Sequence, residues 1–496
     1  MHLLHGTLQW ASWTGEQRSA AGVSIDAGAM AVELGDVVLI PLTLLFPPFV
    51  AHACFAAVAV GWVCFGAWHL TSSFGHRPGL PWLLVPLIAV GFPLVLGFFH
   101  FMIACGTVLV FAGWWQRQKT LARRALVFLA LAVTLCQFAH RSGGLLLLGT
   151  IAVQELVLLF GSRRSAHVRW AFLPAPWLMV LVLAVLAFGF FQLVFNSRLA
   201  YPPATVPSDG STTMPGLRSL LMLDEHAERP ILLTVAAAML LFTALAFRQR
   251  WHKGFSLTLS DALLFLAVIL YTVALWADTP QGVLFYLPMR LQWFGLLLLA
   301  CWCSLHVPVT RSSGILAVLL VLTHVLRMVY LERRMRSYAD GDHAALWAKA
   351  YSQPGRLVVP IDLHPDWLTR HRTAYAALAY DGIAYSPRDH VRFQGPGHRR
   401  NAFSGNLYQP EADMTWLQEH VRAAADPTIT HVWVLGSWPT APPQHLRTLQ
   451  VFLKERFVRV HADAGLEVWT VRVAPPPSGV EPDVGSTGPI KESIPH

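Results

Sequence analysis

"TPQGVLFYLPMRLQWFGLLLLACW", residues 279–302, places Arg290 at the mouth of a long apolar run, two residues after Pro288. A helix needs about 20 residues to cross the hydrocarbon of a bilayer. The stretch therefore reads as a membrane span with an arginine at its rim. Arginines beside spans gather on the cytoplasmic side. Whether Arg290 sits there depends on what flanks the other apolar runs.

Nine more such runs are present, giving spans over 49–70, 81–96, 97–115, 124–140, 143–160, 171–195, 230–247, 259–276, 289–305 and 314–331. The second and third form one apolar stretch, broken near Gly91, Phe92, Pro93 and Gly97. A shorter piece, 36–46, ends at Pro47 and Pro48 and is too short to cross; it reads as an interfacial or re-entrant helix. Composition agrees. Of 496 residues, 54% are hydrophobic and only 13% charged, with a mean hydropathy of +0.47. So few charges could not cover a soluble protein of this size. The net charge of +9 lies largely in short loops between spans. That distribution fits membrane orientation, and nucleic acid is not expected as a partner.

The basic residues then fix the sides. Arg117, Lys119, Arg123 and Arg124 follow span three; Arg163, Arg164 and Arg169 follow span five; Arg248, Arg250 and Lys253 follow span seven. Between them lie loops at Arg141, 196–229 and 277–288, and the charges of 196–229 are mixed. The three basic loops are cytoplasmic by the positive-inside rule. Arg290 therefore falls on the outer face, with segment 1–35 and everything after span ten. Segment 1–35 carries no signal-peptide pattern. An outer N-terminus with nothing to carry it across leads us to expect a further span upstream.

After Tyr330 the composition changes. Residues 331–352 read as a helix leaving the membrane; 355–362 and 431–438 as strands; 413–424 and 443–457 as helices; "VRVHAD" and "LEVWTVRV" as closing strands. The fold class is thus a polytopic α-helical membrane protein of about 10 transmembrane helices with a C-terminal extracytoplasmic α/β domain. Its parts are an outer segment 1–35, a membrane domain 36–331, the α/β domain 332–474 and a Pro/Gly/Ser-rich tail 475–496, expected to be disordered.

Polar groups in or beside the membrane each need an account. Arg290 either snorkels to headgroups or grips a phosphate with its planar fork. On the same side fall His140 and Arg141 in the turn "FAHRSGG", His100 in "GFFHFMI", His52, and the carboxylates Asp26, Glu33 and Asp36 in "SIDAGAMAVELGD". Asp36, before an apolar run, also suits a helix N-cap. Carboxylate plus fixed cation is what transfer from a lipid phosphate donor requires: a base for the acceptor's proton and a counter-charge for the departing phosphate. Glu155 reads as paired with Gln154 or a neighbouring helix, or as marking an ion path, and His324 and Arg327 read as interfacial near the outer end of span ten. The basic stretch 386–405 reads as a solvated loop or as a recognition surface for acidic glycans or headgroups. All six cysteines lie in apolar runs without metal-ligand spacing. No cofactor motif is present, and a requirement for a divalent metal stays open.

The order of parts over roughly 20–475 resembles the C-type (GT-C) membrane glycosyltransferases, the group of the protein mannosyltransferases and the aminoarabinose transferase of lipid A. The resemblance is carried by "AVELGDVVLIPLTLLFPPFVAHACF" (31–55), "GFFHFMIACGTVLVFAGWW" (97–115), "FAHRSGGLLLL" (138–148) and "LPMRLQW" (287–293), with a soluble α/β domain after the last span. It implies transfer of a sugar from a polyprenyl-phosphate donor to a glycan, lipid or protein acceptor on the outer face of the plasma membrane, the inner membrane in a bacterium. It places the acid in the first outer loop, after a first span that is expected upstream of segment 1–35. Glu33 or Asp26 could serve, with Asp36 beside them; Arg290, His140, Arg141 and His100 would bind substrate. The alternatives are an outer-face polysaccharide polymerase or ligase, a transporter, and a non-catalytic scaffold.

Overall fold

Apolar runs flanked by charge become helices here because lipid offers the backbone no hydrogen-bond partner. The computed structural model describes residues 34–46, 48–75, 77–95, 97–118, 123–140, 142–161, 220, 225–254, 256–276, 287–307, 311–340, 357–363, 383–384, 429–435, 437–440, 442, 444–462 and 466–471. In chain order the helices of the membrane region are α1 (Leu34–Leu45), α2 (Pro48–Ser73), α3 (Leu84–Ala89), α4 (Phe92–Val95), α5 (Phe99–Gln116), α6 (Arg123–Ala139), α7 (Gly143–Gly161), α8 (Glu225–His252), α9 (Asp261–Trp276), α10 (Leu287–His306) and α11 (Arg311–Asp340). A 3-10 turn, Leu80–Leu83, leads into α3. Six of these helices are long and apolar enough to cross a membrane: those holding Val50–Ser73, Phe99–Gln116, Gly143–Gly161, Glu228–His252, Leu287–His306 and Gly314–Arg333. Shorter apolar helices occupy Leu80–Leu94, Arg124–Ala139 and Asp261–Leu275. The expected span 171–195 lies outside the described residues.

A close seam joins α2 to α5. A Cβ on Gly66 would lie 2.4 Å from the Gly106 carbonyl oxygen, and one on Gly106 would lie 2.5 Å from the Trp62 ring. Small residues let the backbones touch, which is how helices associate where lipid removes the hydrophobic drive. Trp62 Nε1 donates to Thr107 Oγ1 at 3.0 Å, and Ser73 Oγ donates to Gln116 Oε1 at 3.0 Å, across the same seam. The six cysteines are all free thiols, four of them buried.

Between the expected second and third spans the chain breaks twice. α3 ends at Val90 (φ −84°, ψ 70°), and Gly97 takes φ +73°, a conformation open mainly to glycine. The Phe98 N–H reaches back to Pro93 O at 2.8 Å, and α5 begins at the next residue. The break expected at Gly91, Phe92, Pro93 and Gly97 is therefore present, as two kinks around the short α4.

The C-terminal part forms a five-stranded mixed sheet of β1 (Leu357–Asp362), β2 (Ile383–Ala384), β3 (Ile429–Leu435), β4 (Phe457–Ala462) and β5 (Leu466–Val471), with α12 (Gln444–Arg456) packed on it. The strand order is β2-β1-β3-β5-β4. β1 runs parallel to β2 and β3; β5 runs antiparallel to β3 and β4. Val432, Val434, Phe452, Leu453, Phe457 and Trp469 form its core. The four expected strands and the helix over 443–457 are present within two or three residues. β2 has no counterpart in the expected elements, and the expected helix 413–424 lies outside the described residues.

Candidate functional site

The broken span and the turn after α6 both lead to Arg290. Pro288 sits in the first turn of α10, where its missing N–H costs nothing. Two residues on, the Arg290 guanidinium carbon lies 4.0 Å from the centre of the Phe98 ring and 5.6 Å from that of Phe101. Such cation–π contacts are worth about 0.5–2 kcal/mol and hold the guanidinium against the two rings. Phe98 comes to this position through the Gly97 kink.

Arg290 also meets His140, with Nη1 3.3 Å from Nε2. A guanidinium only donates, so Nε2 accepts. The neutral ring then carries its proton on Nδ1, which donates to Ser142 Oγ at 2.8 Å. The Ser142 backbone N–H, 3.2 Å from the same Nδ1, competes for the opposite tautomer. The turn that presents His140 is closed by glycine: the Gly143 N–H donates to His140 O at 2.7 Å, and a Cβ on Gly143 would lie 2.1 Å from Cys136 O. The Phe101 ring packs edge-on to His140 at 5.3 Å and also meets Trp293 at 5.9 Å.

His100 is buried one residue before Phe101 and faces α1 and Phe55. A Cβ on Gly35 would lie 2.3 Å from its Nδ1, so the imidazole fills the space a side chain would need. His100 thus seats α1. His52 packs edge-on to Phe99 at 5.0 Å. Asp26, Glu33 and Arg141 lie outside the described residues, as does the Asp36 side chain. Because α1 begins at Leu34, Asp36 belongs to its first turn and is not the N-cap. Of the expected site residues, the structure joins Arg290 directly to His140 and puts His100 on a residue adjacent to their shared neighbour Phe101.

Two buried polar centres went unrecognised in the sequence. The first corrects the interfacial role expected of Arg327. Its side chain is 1% exposed, and Nη1 donates to Leu87 O at 2.8 Å while Nη2 donates to Leu220 O. Trp293 Nε1 donates to Ile88 O at 2.7 Å. These two carbonyls belong to the last turn of α3, where the break removes their helical partners. In hydrocarbon an unpartnered carbonyl costs several kcal/mol. Glu228, fully buried, acts electrostatically on Arg327. An arginine well inside the 314–331 run was the available signal.

The second centre lies where α8, α9 and α10 meet at the opposite end from Arg290. Asp261 Oδ2 accepts from Arg250 Nη2 at 2.6 Å, from the Thr258 N–H at 2.7 Å and from Thr258 Oγ1 at 2.9 Å. Its Oδ1 accepts from Trp302 Nε1 at 3.2 Å and lies 3.9 Å from His306 Nε2. Arg250 also donates to Ser256 O, and Ser260 Oγ lies 3.0 Å from His306 Nε2. Both carboxylate oxygens are engaged, which marks a structural tie. Glu155 is likewise engaged, its Oε1 accepting from Trp115 Nε1 at 2.8 Å on α5.

Among the described residues no group of three or more His, Cys, Asp or Glu is placed to hold a metal ion. No protein-family model matches the chain, and no curated protein matches it.

Proposed function

We propose that the chain is an integral membrane glycosyltransferase acting on a polyprenyl-phosphate sugar at the outer face, with ten spans and an extracytoplasmic C-terminal domain. The observation that carries this is the Arg290–His140 pair, a fixed cation beside a histidine at the rim of the helix bundle, held against Phe98. In the transfer, the acceptor hydroxyl oxygen forms a bond to the anomeric carbon as the bond from that carbon to the phosphate oxygen breaks. A carboxylate takes the hydroxyl proton; Asp26, Glu33 and Asp36, on or just before α1, are the candidates. The phosphate leaves with the electron pair, and the Arg290 fork neutralises it.

The test is transfer from a polyprenyl-phosphate sugar by the purified protein, with Arg290→Lys compared with wild type. Lysine keeps the charge and loses the fork. Loss of one charge-assisted hydrogen bond, about 1.5–3 kcal/mol, lowers the rate about tenfold or more. Wild-type rates for the lysine variant at normal expression would reduce Arg290 to a helix anchor.

A transporter is the second reading, favoured by the broken span and the buried charges of Arg327 and Glu228. Against it, the carbonyls of Leu87 and Ile88 at the break are occupied by Arg327 and Trp293 instead of lining an open path. Substrate uptake by proteoliposomes without chemical change would favour it.

A further inference from the structure

We infer that Arg327 is a positioning residue for the Arg290–His140 centre, acting through the broken span. This rests on the proposal that Arg290 is the phosphate-gripping residue, although the linkage itself is a matter of geometry. Its links are backbone and ring contacts. Arg327 on α11 takes Leu87 O, and Trp293 on α10 takes Ile88 O. Those two bonds close the end of α3 where the chain turns at Val90. Eight residues after Val90 stands Phe98, whose ring lies under the Arg290 guanidinium.

The two clamps meet the site from both ends of this segment. Trp293 and Arg290 are three residues apart on α10, so they share a face. Phe101 touches Trp293, His140 and Arg290. The segment between Val90 and Phe98 is thus held at one end by side chains from α10 and α11 and at the other by Arg290 itself. Within the segment the Val90, Leu94, Gly97 and Phe98 N–H groups donate to the Pro86, Gly91, Leu94 and Pro93 carbonyls, while the Leu87 and Ile88 carbonyls at the break are taken by the clamp. Arginine suits the task because one fork spans two carbonyls on separate segments, Leu87 and Leu220.

α11 also runs without interruption from Arg311 to Asp340, the last described residue before the sheet domain begins at Leu357. The helix that leads to the C-terminal domain is therefore the one that holds the break. A shift of α11 along its axis would move the Leu87 carbonyl and, through α4, the ring under Arg290.

Hydrogen exchange on the purified full chain tests this without reference to catalysis. In Arg327→Lys, which keeps the charge but cannot reach both carbonyls, the amides of 90–98 should exchange at least about tenfold faster. Those of 256–263, around the Asp261 tie, should stay as in wild type. If Arg327→Lys does not fold, Trp293→Phe removes the Ile88 bond alone and should loosen the same segment. Unchanged exchange at 90–98 in a folded variant overturns the inference, as does an equal rise at both ends, which would mean general destabilisation. In the transfer assay, Arg327→Lys should lower kcat/KM, and its melting temperature should fall because one of the Leu87 and Leu220 carbonyls loses its partner. If no transfer is found even for wild type but exchange at 90–98 responds, the functional proposal fails and the clamp stands.

Discussion

At the scale of single residues, the buried charges divide by whether their partners are complete. Asp261 accepts from Arg250, Thr258 and Trp302 and is 2% exposed. Breaking a buried ion pair by removing one partner costs about 3–5 kcal/mol, because the other charge stays buried. Asp261→Asn should therefore lower the melting temperature in detergent markedly, and pairing it with Arg250→Met should recover part of the loss. A single variant that melts like wild type would show the pair to be dispensable. None of this was legible in the sequence. Arg250 read as one more basic residue in a loop, and neither Asp261 nor His306 stood out. What unites them is the turn 256–260 between α8 and α9, which brings the start of α9 to Arg250, and the spacing of Trp302 and His306 by one helical turn on α10. Arg290 was legible because its position after Pro288 at the rim of a run is a local pattern. Its contact with His140, 150 residues away, was legible only as a shared side of the membrane.

At the scale of elements, α1 was read correctly as a helix too short to cross, but what seats it is a contact between distant residues. Gly35 accepts the His100 imidazole where a Cβ would stand, 2.3 Å from Nδ1. The imidazole is itself packed against Phe55 with ring centres 5.8 Å apart, so it has little room to move. Gly35→Ala should lift α1 from α5 and make it more accessible to protease, while His100→Ala on the same chain should restore the seat. If Gly35→Ala alone leaves protease resistance unchanged, α1 is held by its other contacts with α2 and α6. The double kink of the second span was legible for a different reason: Gly91, Pro93 and Gly97 act through their own backbones, so their effect needs no partner. The short β2 was not legible, since two residues carry no periodicity and it forms only as a neighbour for β1.

At the scale of the whole molecule, the contacts fix which helix ends lie together, and the charges decide which side each end faces. His140 at the end of α6 meets Arg290 at the start of α10. Arg250 at the end of α8 meets Asp261 at the start of α9 and the Trp302–His306 end of α10. Gly79, before α3, donates to Ser304 O at that same end. These pairings are the ones an alternating up-and-down path demands. Absolute orientation rests on the basic loops, and here the structure changes the weight of one count. Arg250 is spent on a buried ion pair, so the exposed basic charges at and just beyond the end of α8 are Arg248 and Lys253. The loops after the third and fifth runs, with Arg117, Lys119, Arg123 and Arg124 and with Arg163, Arg164 and Arg169, therefore carry most of the positive-inside argument. On the proposed topology Gly254 lies in the cytoplasm and Ser337, three expected spans later, lies outside. Alkaline phosphatase fused after Ser337 should be active and a fluorescent protein there dark, with the reverse at Gly254. Fluorescence at Ser337 would put Arg290 and His140 on the cytoplasmic face, and a donor presented at the outer leaflet could not reach them.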